Sequence, residues 1–124
     1  MHYDIRAANK MEKELQQKLC KKYPKIFGEN FFFECLDGWY WLIENLCECI
    51  QHNETDLRAT QVKEKFGGLR FYTTPRDDEI HGMIHLAESM SYNICEKCGS
   101  TENVNATENG NRWIRTRCQK CHNT

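Results

Sequence analysis

Apolar residues recur at helical spacing in the first part of the chain and predict a helix from about residue 5 to residue 23. Glutamate and lysine fill the positions between them, and the apolar stripe consists of Ile5, Ala8, Met11, Leu15 and Leu19. Steps of three to four residues place such side chains on one face of an α-helix. Pro24 disfavours helical geometry at the residue before it, so we expect the helix to end there.

A second helix is predicted from about residue 38 to residue 52. Its apolar positions recur at steps of three and four residues, and they are Trp39, Leu42, Ile43, Leu46 and Ile50. Asp37 precedes the stripe, and its short carboxylate is typical of a helix N-cap. The run from Phe31 to Phe33 is too short for its period to separate strand from helix.

The segment TQVKEKFGGLRFYTT, about residues 60–74, predicts a β-hairpin. Val62 and Phe66 alternate with lysines, Gly67 and Gly68 supply the turn, and the apolar face resumes with Leu69 and Phe71. Tyr72 is expected on the opposite face of the hairpin.

A third helix is predicted from about residue 76 to residue 93. Three acidic residues, Asp77, Asp78 and Glu79, lie at its start, where negative charge complements the positive end of the helix. Its apolar positions have helical spacing, and they are Ile80, Met83, Ile84, Ala87, Met90 and Ile94.

The chain has eight cysteines among 124 residues, which fits either a disulfide scaffold or metal binding. The opening MHYDIRAANKMEKELQQK lacks the apolar core of a signal peptide, and no segment approaches the roughly 18 apolar residues of a membrane span. We therefore expect a soluble, cytoplasmic protein whose thiols stay reduced. The net charge of -1 argues against a protein that coats DNA non-specifically.

Four of the cysteines form two Cys-x-x-Cys pairs near the C-terminus: Cys95 with Cys98, and Cys118 with Cys121. Nineteen residues separate the pairs, a spacing typical of zinc sites, and Gly99 permits the tight turn after the first pair. The sequence predicts one structural zinc ion held by these four thiolates. Two redox-active pairs are the alternative, but that chemistry needs a strand-to-helix junction of a βαβ unit, which the pattern lacks.

The prediction is thus an α+β fold, with a small helical body and β-hairpin in residues 1–94 and a C-terminal four-cysteine zinc ribbon in residues 95–124. Asn109 and Gly110 predict a turn in the ribbon, followed by a strand from Arg112 to Thr116.

The other titratable candidates have ordinary interpretations. Cys20, Cys35, Cys47 and Cys49 lack ligand spacing and are expected to be free thiols, mostly buried. His81 and His85 stand four residues apart, a spacing that suits a second metal, although solvent-facing histidines are the simpler interpretation.

Between Ile26 and Leu57 the chain carries acidic residues and no lysine or arginine, and the acids are Glu29, Glu34, Asp37, Glu44, Glu48, Glu54 and Asp56. This segment is either a solvated helix face or a docking surface for a basic partner. Glu34, Asp37, Glu44 and Glu48 are the candidate contacts. Trp39, Tyr40 and Trp41 lie within the segment as interface anchors or as core.

The ribbon is basic around Trp113, and Arg115 and Arg117 would share one face of an alternating strand. Basic residues beside an aromatic ring are typical of nucleic-acid contacts, so a nucleic-acid-binding accessory protein or transcription regulator is the alternative function. A small structural or assembly protein, which would show neither interaction, is a third possibility. The sequence has no P-loop, nucleophile elbow or dinucleotide fingerprint, and four cysteines leave zinc no open position. We therefore expect a protein that is not an enzyme.

The segment QVKEKFGGLRFY at residues 61–72, together with the Gly38-Trp39 helix and the two Cys-x-x-Cys pairs, resembles a family of small phage and prophage zinc-ribbon proteins. The resemblance covers roughly the last ninety residues. Among phage metalloproteins of this build, the nearest functional kind is an anti-CRISPR protein that inhibits the type II CRISPR-associated nuclease by direct binding. The resemblance implies that nuclease as partner and the cytoplasm of an infected or lysogenic bacterial host as location, and it assigns no contact residues.

Overall fold

The computed structural model describes residues 9–108 and 114–123. Within these residues, three helices and five strands follow one another along the chain, together with two short 3-10 helices. The elements are α1 Lys13–Lys22, β1 Phe33–Glu34, a 3-10 helix Asp37–Trp39, α2 Tyr40–Gln51, β2 Arg58–Lys65, β3 Gly68–Thr74, α3 Asp78–Ser91, β4 Val104–Glu108, β5 Ile114–Cys118 and a 3-10 helix Gln119–Cys121. The predicted α+β class is confirmed.

Two small sheets organise the molecule. In the first, β1 pairs parallel with β2 and β2 pairs antiparallel with β3, in the order β1-β2-β3. In the second, β4 and β5 form an antiparallel ribbon whose register joins Val104 to Cys118 and Glu108 to Ile114. The predicted ribbon turn at Asn109 and Gly110, and the first two residues of its predicted second strand, lie outside the described residues. The predicted division of the chain at residue 94 stays a prediction.

The first helix is shorter than predicted, because residues 9–12 are not helical. The backbone N–H of Met11 donates to the carbonyl of Phe33 at 3.2 Å, and that of Glu12 donates to the Asp37 carboxylate at 2.8 Å. These long-range contacts hold the segment against the body before α1 begins. Met11 and Leu19 are buried as expected, whereas the predicted helical positions Ile5 and Ala8 lie outside the described residues.

Asp37 does not cap α2, and that prediction is wrong. Asp37 lies within the 3-10 helix that precedes α2, and its carboxylate accepts the N–H of Glu12 instead. The predicted apolar face of the helix is confirmed, because Leu42, Ile43, Leu46 and Ile50 are all buried.

The hairpin is present, but its turn lies one residue earlier than predicted. Lys65 pairs with Gly68, so Phe66 and Gly67 are the two turn residues, and both have positive φ angles of 53° and 82°. Gly68 belongs to the strand, where the hydroxyl of Tyr92 lies 2.3 Å from the place that a Cβ would take. Phe66 is therefore exposed rather than part of the apolar face.

Helix α3 covers the outer edge of β3 and is capped by Asp77, whose carboxylate accepts the N–H groups of Glu79 and Ile80. Two of its side chains accept hydrogen bonds that a further strand would otherwise receive: Ser91 Oγ from Leu69 N and Glu88 Oε2 from Phe71 N, both at 2.9 Å. A covered edge cannot pair with another sheet. None of the helices in the described residues is long and apolar enough to span a membrane.

Candidate metal centre

The first cysteine pair lies on a tight turn directly after α3. The N–H of Gly99 donates to the carbonyl of Cys95 at 2.9 Å, and the N–H of Cys95 donates to the carbonyl of Ser100 at 2.8 Å. Gly99 has a φ of 83°, a conformation that glycine adopts without steric cost. The turn therefore holds Cys95 and Cys98 on one side of the loop.

The second pair lies where the ribbon ends. Cys118 is the last residue of β5, and Cys121 closes the short 3-10 helix that follows. Pairing of Cys118 with Val104 fixes the end of the strand. This brings the second pair beside the first.

The four sulfur atoms of Cys95, Cys98, Cys118 and Cys121 all lie within 4.8 Å of one another. The Sγ atoms of Cys98 and Cys118 are 3.6 Å apart. A tetrahedral site with metal–sulfur bonds of about 2.3 Å has sulfur–sulfur edges of about 3.8 Å, so the four cysteines are close enough to hold one metal ion. Within the described part of the chain they are the one group of three or more potential ligands with such spacing.

The thiol acidities show the electrostatic situation in the cluster. Burial raises the pKa of the Cys95 thiol, but hydrogen bonds from the backbone N–H groups of Cys118, Cys98 and Lys97 outweigh that effect and lower the pKa to about 7. Partial burial and hydrogen bonds with the other three sulfurs raise the pKa of Cys121 to about 12. The Cys95 thiolate therefore forms easily, whereas the Cys121 thiolate forms with difficulty, because burial and the hydrogen bonds among the sulfurs favour its protonated form. A bound cation removes that penalty, since metals bind thiolates.

A buried ion pair joins the cluster to the body of the molecule. Glu96, inside the first Cys-x-x-Cys turn, is 2% exposed, and its Oε1 lies 3.2 Å from Nη1 of Arg117, which precedes Cys118. Its other oxygen accepts the N–H of Leu36 at 3.1 Å, and its carbonyl accepts the N–H of Gly38 at 2.6 Å. Glu96 thus connects both cysteine pairs with the loop before α2.

Sequence reasoning did not find Glu96. An acid between two cysteines and an arginine before the third give no spacing signal, because their pairing depends on the fold. The same holds for Gly38, at which a Cβ would lie 2.1 Å from the carbonyl oxygen of Cys95.

The candidate partner contacts Glu44 and Glu48 are not isolated charges. Lys22 of α1 lies 2.7 Å from Oε1 of Glu44 and 3.5 Å from Oε1 of Glu48. The hydroxyl of Tyr23 donates to Glu48 at 2.5 Å. The acidic segment contains no base in sequence, but α1 supplies one in space.

The other two acidic candidates also have contacts within the chain. Glu34 in β1 is half-buried and accepts from the side chain of Gln61 at 3.5 Å, while Asp37 receives the Glu12 N–H. Of the aromatic residues in this segment, Trp39 is buried and donates its Nε1–H to the Ile94 carbonyl at 2.9 Å, whereas Trp41 is 61% exposed.

The two arginines of the ribbon lie two residues apart in β5 and differ in exposure. Arg115 is exposed, but Arg117 is buried beside Glu96. The ribbon turn with Trp113 lies outside the described residues.

His81 and His85 are exposed on α3, with their rings stacked 6.2 Å apart. They belong to no group of three ligands in the described residues. Cys35 and Cys47 are buried, Cys20 is half-buried and Cys49 is exposed, so burial of these thiols is less complete than predicted.

Comparison of the chain with known protein families, with curated proteins and with solved structures found no match.

Proposed function

We propose that the four cysteines bind one zinc ion with a structural role. The observation that carries this proposal is the approach of four sulfur atoms to within 4.8 Å of one another. Four soft thiolates in a tetrahedral arrangement favour zinc over hard cations such as magnesium or calcium. With all four positions taken by protein, the ion has no place for a reacting water, and its role is to hold the ribbon against the body.

We further propose that the protein acts by binding and is not an enzyme. The partner that we propose is a type II CRISPR-associated nuclease in the cytoplasm of an infected or lysogenic bacterial host, with inhibition as the outcome. Two features support this: the resemblance at residues 61–72, and exposed acids between α1 and β2 that suit a strongly basic partner. Glu44 and Glu48 are half-buried and share the single charge of Lys22, whereas Glu29, Glu54 and Asp56 are exposed and suit such a partner best.

The test is a cleavage assay with purified nuclease, guide RNA and target DNA at rising concentrations of this protein. Inhibition should be complete near one protein per nuclease, with no turnover of guide or target. Reversal of exposed acids, Glu29→Lys with Asp56→Lys, should weaken inhibition mainly through slower association. Glu102→Lys, an exposed reversal in the ribbon, is the matched control. Absence of both capture and inhibition of the nuclease would reject this partner while leaving the zinc site untouched.

The alternative function, nucleic-acid binding through the ribbon, loses support because Arg117 is buried. It keeps Arg115, so binding of duplex DNA by the wild type and by an Arg115→Ala variant separates the two functions. If the ribbon contacts phosphates, affinity falls steeply with salt concentration and the substitution lowers that salt slope, whereas a protein-docking inhibitor gives no duplex binding that depends on Arg115.

A further inference from the structure

Phe66 occupies a turn position that its side chain fits poorly. Its φ of 53° lies in the left-handed region, which is an outlier for a bulky residue and is common for asparagine, as at Asn30 and Asn103. The φ values of Phe66 and Gly67 are those of a two-residue type I′ turn, for which Asn-Gly is the preferred sequence. A phenylalanine here costs stability that asparagine would not.

The strained residue is also exposed. Phe66 is 65% exposed, the largest exposed fraction among the large apolar side chains in the described residues. Its ring lies 5.6 Å from the ammonium group of Lys65. The core thus gains little from this side chain, and neither the turn nor packing accounts for an aromatic ring at the tip.

The turn that presents Phe66 is held firmly. Glu64 accepts the N–H of Gly67 at 2.8 Å, and the hydroxyl of Thr116 in β5 donates to the carbonyl of Gly67. A Cβ on Gly67 would lie 2.9 Å from the side chain of Ile114. The Phe66 ring therefore projects from a turn that is fixed by hydrogen bonds to Glu64 and Thr116 and that contacts the ribbon.

The outer face of the hairpin is basic and aromatic. Strand alternation buries Val62, Leu69 and Phe71, which leaves their neighbours on the other side of the sheet. That outer face carries Lys63, Lys65, Arg70 and the 42% exposed Tyr72. In the register, Lys63 is paired with Arg70 and Lys65 with Gly68.

The charge on this face is predominantly positive. Glu34 adjoins Lys63 at the β1 side, where Gln61 donates to it, and Glu64 lies on the opposite face of β2. Arg70 donates to the hydroxyl of Tyr92 at 3.2 Å. Partial burial lowers the pKa of its guanidinium, but the hydrogen bond to Tyr92 and the nearby Glu88 carboxylate outweigh burial and raise that pKa. Tyr72 stands four residues from Gly68 along β3, or about 13 Å at 3.3 Å per residue. Phe66 at the turn, whose ring lies near Lys65, and Tyr72 in β3 therefore lie toward opposite ends of the hairpin, with Lys63, Lys65 and Arg70 between them along the strands.

We propose that this face, Phe66 together with Lys63, Lys65, Arg70 and Tyr72, binds single-stranded nucleic acid. Aromatic rings stack on unpaired bases and cations contact the phosphates, which is the combination that sequence-tolerant single-strand binding requires. A basic partner protein would be repelled by the same cations. The proposal goes beyond nuclease inhibition and stands whether or not the nuclease is the partner.

The experiment measures binding of labelled oligothymidylate and oligouridylate, each about 12 nucleotides long, by fluorescence anisotropy. Phe66→Asn should weaken binding by about 5- to 150-fold, the range that loss of one stacked base produces. The same variant should melt about 3–5 °C higher than the wild type, because asparagine relieves the turn. If the Phe66→Asn variant is more stable than the wild type but binds the oligonucleotides less tightly, Phe66 has a role in binding and not in stabilising the fold.

Two further variants and a control complete the design. Phe66→Trp should retain binding, because tryptophan also stacks. Lys65→Ala should reduce the salt slope of binding by about 0.7, the value for one phosphate contact with a single strand. Leu86→Ser removes a comparably exposed apolar side chain from α3 and should leave binding unchanged. Comparison of the two oligonucleotides, which differ in the 2′-hydroxyl and in the 5-methyl group of the base, shows whether the face distinguishes RNA from DNA strands.

Failure of the wild type to bind either oligonucleotide, or equal affinity of the Phe66→Asn variant, would overturn the proposal. A Phe66→Asn variant that melts at or below the wild-type temperature would overturn the argument from turn strain. Capture of a protein through Phe66 without oligonucleotide binding would also count against it.

Discussion

Two glycines show how differently one added methyl group acts at single residues. At Gly38 a Cβ would lie 2.1 Å from the carbonyl oxygen of Cys95 and 2.4 Å from that of Glu96, both of them backbone atoms. At Gly82, in the exposed middle of α3, a Cβ would meet nothing within 4 Å. Gly38 permits the close approach of the turn that carries Cys95 and Cys98 to the body. At Gly82 no neighbouring group requires a glycine.

We therefore expect opposite effects from the same substitution. Gly38→Ala should lower the free energy of unfolding by more than about 3 kcal/mol, because backbone must move to make room. Gly82→Ala should raise it by about 0.5–1 kcal/mol, the helix-propensity difference. Urea denaturation of both variants measures this. A Gly38→Ala protein as stable as the wild type would mean that the turn and the body do not meet as described.

At the scale of elements, α1 and α2 are joined by a hydrogen-bonded pair. The hydroxyl of Tyr23 at the end of α1 donates to Glu48 of α2, and this bond lowers the pKa of the Glu48 carboxyl. Burial, with the hydrogen bond to Glu48, raises the pKa of Tyr23. Both shifts favour a charged Glu48 beside a neutral Tyr23 at physiological pH.

A pH dependence follows from the lowered pKa of Glu48. Its contribution to stability is fully present above the unfolded carboxyl pKa of about 4.3 and is lost as pH falls through the lower folded value. The difference in unfolding free energy between the wild type and Tyr23→Phe should therefore shrink on acidification. Denaturant titrations from about pH 6 to about pH 3 measure it. A difference that stays constant over this range would contradict the pairing.

The elements divide clearly into those that local pattern predicts and those that it does not. The period of apolar residues predicts α2, α3 and the hairpin, because each buries one regular face. The apolar pattern places the start of α1 too early, because the backbone N–H groups of Met11 and Glu12 donate to residues more than twenty positions away. The two glycines place the hairpin turn one residue too late, because Phe66 adopts a backbone conformation that its residue type disfavours.

The candidate metal centre is likewise predictable from local pattern only in part. Its four cysteines follow from local spacing alone, since each pair is set by a tight turn. The burial of Arg117 and the contacts of Lys22 with Glu44 and Glu48 could not be predicted from local pattern. Arg117 donates to Glu96, which lies 21 residues away in the sequence, and Lys22 donates to Glu44, which lies 22 residues away. These contacts exist only in the folded chain.

For the molecule as a whole, the hydrogen bonds that Glu96 accepts from the N–H groups of Leu36 and Gly38 predict that ribbon and body unfold together. Glu96→Gln leaves Arg117 buried without its counter-charge, and we expect a loss of about 3–5 kcal/mol in the free energy of unfolding. Glu102→Gln, exposed in the ribbon, should change it by no more than about 0.5 kcal/mol. In each protein, loss of helical circular dichroism and metal release to a chromogenic chelator should share one midpoint. Metal release well before helix loss would show that the ribbon unfolds independently.

Zinc binding by the four cysteines is tested most directly by the zinc content of the purified protein, measured by elemental analysis after expression under reducing conditions. We expect one zinc per chain in the wild type. Cys118→Ser should lose the ion and unfold at least the ribbon, because binding of a structural zinc is folding free energy of roughly 10–16 kcal/mol in comparable peptides. Cys49→Ser, at an exposed cysteine outside the cluster, should retain the full equivalent. A wild-type protein with well under one equivalent of zinc, or a Cys118→Ser variant with as much zinc as the wild type, would contradict the account.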